Sequence, residues 1–551
     1  MTATVSRWAI MITAPILGIL LGQPLGYMAT HGLHPTLWEA ATGTPYEWFV
    51  AVLGGNFTKV VRYLASLPPL LFLPGWVLIA AGTIWSIVVA YLDTPYVPPR
   101  VADGKQGNAD WASAAELAAM RAGLEIGKDP TTREPVRIAT NSNLMTIEPP
   151  RRGKTDGCVL PNLAVPDPDA WSGPVVVIDP KGDVYRATRR RRAELGRRVV
   201  YLDLTGGAEG TDAFNVLDKL KKSDVSKMLA IARRLLPSAK TDSANGGYFI
   251  NRAVDYIAGA IHVALGFDKA TLYDVAEWCD CPKILEEYLA KDSTPVARRA
   301  LKILRMNPKN SEPITSTADQ AFQALADSRF RSVFEKSTFD LEDLCRDKLD
   351  LFIGIPDEEV AQANAAPYVR LLLSAVFETI RRSNRKRRIV MFIDEAASLG
   401  RFDELPKACA VMPGLGLSIW TFWQSKSQIA EQYGAEGAKT MLDTASVITV
   451  SGVSAANVDE KEQWSAALGS YTEMDTTTTT DAAGKTQITR AASERRLAPP
   501  SDVPAVTQLR QIVFINHRDL TTRPLLIDKT IAHTDRRFEG LVDFVEPTAA
   551  T

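Results

Sequence analysis

Cysteine and histidine are scarce, with five of each in 551 residues. Cys158, Cys279, Cys281, Cys345 and Cys409 are too few and too scattered for a disulfide framework. Cys279 and Cys281 lie too close together for a CxxC redox or zinc pair, and the histidines form no ligand cluster. The bulk of the chain therefore reads as belonging to a reducing compartment. A charge excess is also missing: 63 basic and 64 acidic residues leave a net charge of −1. That excludes a global basic field for gripping nucleic acid and leaves only local patches. An apolar fraction of 46 % excludes a fully disordered chain. No long-range internal repeat is evident. The length corresponds to roughly three or four domains.

Long apolar runs are present at one end only. One extends from about Trp8 to Met28 and a second from about Pro68 to Leu92, both uncharged. Each can cross ~30 Å of hydrocarbon, which takes about 20 apolar residues. Trp8, Tyr27, Trp76 and Tyr91 suit the interfaces. A cleaved signal peptide is the competing reading of the first run. Its charged region holds only Arg7, and no small-residue cleavage site follows cleanly. Residues 48–67 read as a helix on the outer surface or as a lead-in to the second span. Residues 1–95 are thus expected to be a membrane anchor. The Pro-rich DTPYVPPR exit follows it.

Beyond the anchor, short β-branched runs alternate with helical segments, as in a parallel α/β sheet. The expected strands are 144–147, 175–178, 199–202, 351–355, 389–393, 417–422, 447–450 and 512–515. VVVI and IVMFI are apolar throughout, as strands covered on both faces are.

After the first strand comes Glu148-Pro149-Pro150-Arg151-Arg152-Gly153-Lys154-Thr155. It keeps the last three positions of the GxxxxGK[ST] phosphate loop and has Glu148 at the first glycine. Gly153 lets backbone N–H groups approach phosphate, Lys154 sets a cation against the β/γ-phosphates, and Thr155 offers a hydroxyl to Mg²⁺. Arg151, Arg152 and Asp156 complete the candidate nucleotide-binding stretch. Taken alone, a surface turn reads equally well, and a carboxylate at 148 repels phosphate unless it turns away. The strand Ile389–Ile393 ends in Asp394-Glu395, the form of a Walker B strand. Asp394 suits Mg²⁺, and Glu395 suits a general base for the attacking water. Gln424, at the end of another strand, suits sensing phosphate or orienting water. The expected cofactors are ATP and Mg²⁺. ATP at this site in turn places the large C-terminal part in the cytosol.

Together these segments resemble the TraG/TraD-type coupling ATPases of type IV secretion and conjugation. The resemblance covers about residues 107–541. It rests on GNADWASAAEL (107–117), PPRRGKTDGCVLPNL (149–163) and VVVIDPKGDVYRAT (175–188), where Asp179, Lys181 and Gly182 match a D-P-K-G signature. It rests further on the stretch 392–434, with its LGR and QSxSQxxxxYG segments, and on RRLAPPSDV (495–503). The resemblance implies an α/β fold: a RecA-like P-loop NTPase domain with an inserted all-α domain, behind two N-terminal transmembrane helices. The expected division is 1–95 anchor, 96–217 first part of the nucleotide-binding domain, 218–341 inserted all-α domain, and 342–551 second part. It implies a hexameric ATP hydrolase of the bacterial inner membrane that couples DNA or relaxase nucleoprotein to the secretion channel. A receptor that recruits protein effectors with little hydrolysis is the alternative, which Glu148 favours. A chromosome-segregation translocase fits the signature segments less well. Glu148 and Arg152 depart from the family pattern, which usually has a small residue and a serine there. Arg401 is the candidate for an arginine supplied to a neighbouring subunit; a surface ion pair is its other reading.

Two basic runs, 189–192 with 197–198 and 381–388, read either as phosphate contacts or as solvated helix ends. The threonine run before Asp481 and the Gly-Lys-Thr at 484–486 read as a loop or hairpin, not as a second phosphate loop.

Overall fold

The computed structural model describes residues 100–543, apart from 101–103, 140, 206–209, 237–243, 357, 385, 481–485 and 518–519. Both expected membrane spans lie outside the described residues. Among the described residues, no helix is long and apolar enough to cross a membrane.

Eleven strands form one sheet. In chain order they are β1 (Leu124–Lys128), β2 (Pro135–Ile138), β3 (Asn143–Ile147), β4 (Val175–Pro180), β5 (Arg198–Asp203), β6 (Leu349–Ile355), β7 (Ile389–Ile393), β8 (Leu417–Trp423), β9 (Ala445–Val450), β12 (Arg510–Ile515) and β13 (Leu525–Asp528). Two further strands, β10 (Ser470–Thr480) and β11 (Thr486–Arg496), make a separate hairpin that carries the threonine run. The order across the large sheet is β2-β1-β13-β12-β9-β3-β8-β7-β4-β6-β5.

All eight expected strands are present. Their fully apolar runs are covered on both faces, and alternate residues serve different cores. Val175 and Val177 pack with Val390, Phe392, Trp420 and Phe422 on one side. Val176 and Ile178 pack with Leu351, Ile353, Ile393 and Ile419 on the other. The expected parallel sheet is only part of the answer. From β9 to β5 every neighbour is parallel. From β12 outward the pairing is antiparallel: β12 on β9, β13 on β12, β1 on β13 and β2 on β1. An apolar run specifies burial but not direction, so Ile512–Ile515 could be recognised as a strand without its orientation. β1, β2 and β13 are short and interrupted by charge, which hid them. Glu125 of β1 and Arg137 of β2 are nonetheless buried, 3.3 Å apart.

Between β5 and β6 the chain is helical. Helices run at Val225–Leu235, Ala244–Ala264, Leu272–Asp280, Pro282–Ala290, Pro295–Leu304 and Pro308–Gln320, with shorter turns to Cys345. Thr271 caps Leu272–Asp280 through a capping box with Asp274. Prolines open three of these helices, where their missing N–H costs nothing. The helix Glu359–Arg382 then leads from β6 to the start of β7.

The first basic run is largely absorbed by the fold. Arg192 is fully buried and grips Asp350 at 2.7 and 3.0 Å, while Asp350 also accepts the Val175 N–H. Arg197 pairs with Asp347 at 2.7 Å, and Arg191 donates to the carbonyls of Ala164 and Val165. In the second run, Arg381 meets Glu404 and Arg382 meets Glu378. Burying one charge without its partner is costly. Arg192→Met should therefore destabilise the chain by about 3–5 kcal/mol, and Arg192→Met/Asp350→Leu by clearly less. Urea unfolding followed by circular dichroism measures both.

Candidate functional site

The carboxyl ends of the central parallel strands meet at one edge. Ile147 of β3 is in register with Trp423 of β8, Ile393 of β7 with Thr421 of β8, and Ile178 of β4 with Ile393. Glu148 onward, Gln424 and Asp394-Glu395 follow three of these strand ends, and Asp179 is the last residue but one of β4. β8 lies between the phosphate-loop strand and the Walker B strand, so Gln424 leaves the sheet between the other two groups.

The loop 148–154 turns through left-handed backbone at Arg151 (φ 59°) and Gly153 (φ 91°). A Cβ at Gly153 would touch nothing within 4 Å, so glycine serves the conformation there and not the space. A π-type turn at Thr155–Val159 runs into the helix Leu160–Ala164. Arg151, Arg152 and Gly153 are exposed, and Lys154, Thr155 and Asp156 are half-buried.

The Thr155 hydroxyl donates to Asp394 Oδ2 at 2.7 Å, across 239 residues of sequence. Asp394 is buried, and desolvation raises its carboxyl above the usual range. The Thr155 bond and the Lys154 ammonium act the other way, and Glu395 adds to the rise. Two hard oxygen donors side by side, one on a buried carboxylate, fit Mg²⁺. Among the described residues, no group of three or more His, Cys, Asp or Glu could hold a metal.

Glu395 adopts left-handed backbone (φ 79°, ψ 70°), a strain of about 1–3 kcal/mol for a residue with a side chain. The Ser398 hydroxyl and N–H both donate to its carbonyl, at 2.7 and 3.0 Å. Gln424 Nε2 donates to Glu395 Oε1 at 2.9 Å. The acid is thereby turned along the sheet edge and held by the side chain the sequence singled out.

The signature segments act as braces. Asp179 accepts the N–H groups of Val184 and Tyr185, at 3.3 and 2.8 Å, and so anchors the first turn of the helix Asp183–Glu194. Lys181 and Gly182 make the left-handed turn between them, where a Cβ at Gly182 would lie 2.6 Å from the Tyr201 hydroxyl. Ser425 caps the helix Lys426–Asp443. Gln428 accepts the Gln424 N–H at 2.9 Å, and Gln432 donates to the Ala397 carbonyl at 2.8 Å. Arg370, on the helix Glu359–Arg382, donates to the Leu399 carbonyl at 2.8 Å, and burial pushes its guanidinium down to about 10. Gln428 was visible only as part of a motif, and Gln432 and Arg370 gave no sequence signal.

Arg401 sits apart from this constellation: its side chain is 44 % exposed and pairs with Asp403 at 2.8 Å. Asp156 faces His533, accepting its backbone N–H at 3.2 Å and lying 2.5 Å from Nδ1. Glu148 turns inward and is buried, with Lys529 Nζ 2.6 Å from its Oε1. Neither His533 nor Lys529 was anticipated, since both lie past β13, far along the chain from the loop they meet.

Residues 122–542 match the family described as Type IV secretory system Conjugative DNA transfer. The chain belongs to that family. It is the family of coupling proteins that the motifs resemble. It is 24 % identical over 462 residues to the conjugal transfer protein TraG of Agrobacterium fabrum, covering 76 % of this chain and 70 % of TraG. It is 22 % identical over 320 residues to the type IV secretion system-coupling protein VirD4 of Bartonella henselae, covering 54 % of this chain and 49 % of VirD4. The chain thus spans about half of that relative. In fold it is similar to the conjugative coupling protein TrwBdeltaN70, with a TM-score of 0.58 at 17 % identity, over 80 % of this chain and 96 % of that one. The same protein in complex with ADP and Mg²⁺ gives a TM-score of 0.56 at 17 % identity, over 79 % and 96 %.

Burial, with Asp394 adding, pushes the Asp179 carboxyl from 3.8 up to about 8. The folded chain then holds a proton there that the unfolded chain releases above its ordinary value. Stability of the nucleotide-free protein should fall as pH rises through that window. Asp179→Asn should make the decline shallower, measured as the melting midpoint against pH for both proteins.

Proposed function

We propose that the chain is an ATP-hydrolysing motor of the bacterial inner membrane, coupling DNA or relaxase nucleoprotein to a type IV secretion channel. The Thr155–Asp394 hydrogen bond carries this reading, because it draws the phosphate loop and the Walker B acid into one site. In that reading Lys154 holds the β/γ-phosphates, with Arg151, Arg152, Gly153 and Asp156 around the nucleotide. Thr155 and Asp394 hold Mg²⁺, which would neutralise charge developing between the phosphates. Glu395 takes the proton of the attacking water. Gln424, already bonded to Glu395, fixes the direction in which that base points. Residues 1–95 supply the anchor with two spans, and 218–341 form the inserted all-α domain between the parts 96–217 and 342–551. The assembly is a homo-hexamer in which Arg401 leaves Asp403 for the neighbouring subunit's site.

The receptor reading drew its support from a carboxylate facing phosphate. Glu148 is buried against Lys529 instead, which favours the motor.

The fragment beginning at Gly107 should hydrolyse ATP, faster with DNA present. Lys154→Ala should abolish turnover and weaken nucleotide binding. Glu395→Gln should bind ATP normally and lower turnover by 10²-fold or more, on the order of general-base catalysis. Phosphate release with and without single- and double-stranded DNA decides the matter. A wild-type rate no higher than that of Lys154→Ala would reject the motor.

A further inference from the structure

The phosphate loop opens on a glutamate. In the GxxxxGK[ST] pattern a glycine stands there, small and uncharged. Glu148 is neither, yet it is among the best-buried charged residues described. Its N–H donates to the Trp423 carbonyl at 2.9 Å, which continues the β3–β8 ladder by one residue. The carboxylate is thus held at the root of the loop. It lies near Cys158 of the π-type turn, whose thiol is pushed up by burial first, with Glu148 and Asp394 adding and Lys529 acting against them.

Lys529 arrives from the far end of the sequence, one residue beyond β13. Its ammonium donates to Glu148 Oε1 at 2.6 Å and to the Arg152 carbonyl at 3.3 Å, one residue before Gly153. It is 14 % exposed and Glu148 is 3 % exposed, so water screens the pair little. The segment after β13 stays against the loop. A Cβ at Gly157 would come within 3.0 Å of the Thr530 carbonyl, and His533 meets Asp156. Without Lys529 a buried negative charge would stand at the root of a loop that must accept a triphosphate. With it, the root is neutral and one loop carbonyl is tied down.

We infer that Lys529 is a positioning residue of the nucleotide site: it neutralises Glu148 so that a polyanion can enter a loop lacking its first glycine. This rests on reading the loop as an ATP site. The C-terminal segment is then part of the nucleotide machinery, although it carries no nucleotide motif.

The test is binding of a fluorescent ATP analogue with Mg²⁺ to the full-length chain in detergent. Wild type and Lys154→Ala serve as references. Lys529→Met should weaken binding by about 10- to 100-fold, from the uncompensated charge. Lys529→Arg should stay within about threefold of wild type, since the cation is kept. Glu148→Gln/Lys529→Met should recover to within about fivefold, because no charge remains to be neutralised. A purely structural role would leave that double variant as weak as the single one, and such a result would overturn the inference. So would unchanged binding by a folded Lys529→Met. Should Lys529→Met fail to fold, the double variant and Lys529→Arg decide, with tenfold or greater weakening of either counting against the inference. Failure of wild type to bind at all would instead reject the nucleotide reading itself.

Discussion

One hydrogen bond organises the functional edge of this protein: the Thr155 hydroxyl on Asp394. It can form only because the sheet places β8 between β3 and β7 and keeps all three parallel. Parallel strands send their carboxyl ends to the same side, and open α/β sheets gather their ligand groups there. The remaining features of the site depend on that alignment. Gln424 leaves β8 within reach of Glu395, and Asp179, near the end of β4, lies close enough for Asp394 to affect its protonation. A slip of one residue in any of these registers would turn the strand's side chains to the opposite core.

Much of this edge could be read from the sequence, for a physical reason. Strands buried on both faces must be apolar throughout, so runs such as VVVI and IVMFI stand out against amphipathic helices. Polar groups that end such runs are confined to a strand terminus, which is why Asp394, Glu395 and Gln424 could be singled out. The antiparallel part was less legible. β1 carries Glu125 and β2 carries Arg137, charges that break the apolar pattern. They are tolerated because Arg137 and Arg537 surround the Glu125 carboxylate, with contacts of 2.7 to 3.3 Å. A pairing that joins residue 125 to residue 537 leaves no local trace. The same holds for Glu148, where the sequence displayed a charge and only the fold supplies its partner.

The arginine clusters make a related point. Positive runs suggest contact with phosphate or solvent, yet Arg192 ends fully buried on Asp350. Composition counts charges without saying which are already spent inside the protein. Here the first run holds the back of the sheet together, and Arg381 and Arg382 of the second are tied to glutamates on their own and a neighbouring helix. Braces of the same kind reach the carboxyl edge of the sheet. Arg370 holds the Leu399 carbonyl from the helix between β6 and β7, and Gln432 holds the Ala397 carbonyl from the helix after β8.

The position of β13 bears on when the site can first exist. It follows the other strands of the sheet in sequence, yet it sits between β1 and β12, so it closes a gap left open by the strands translated before it. A ribosome that has not yet released this strand carries a nascent chain with its phosphate loop already synthesised, Glu148 unpaired and β1 without its neighbour. The ion pair at the root of the phosphate loop therefore forms only once β13 and the Lys529 that follows it have been translated. A chain cut before β13 would keep most of the hydrophobic layers and leave Glu148 without Lys529.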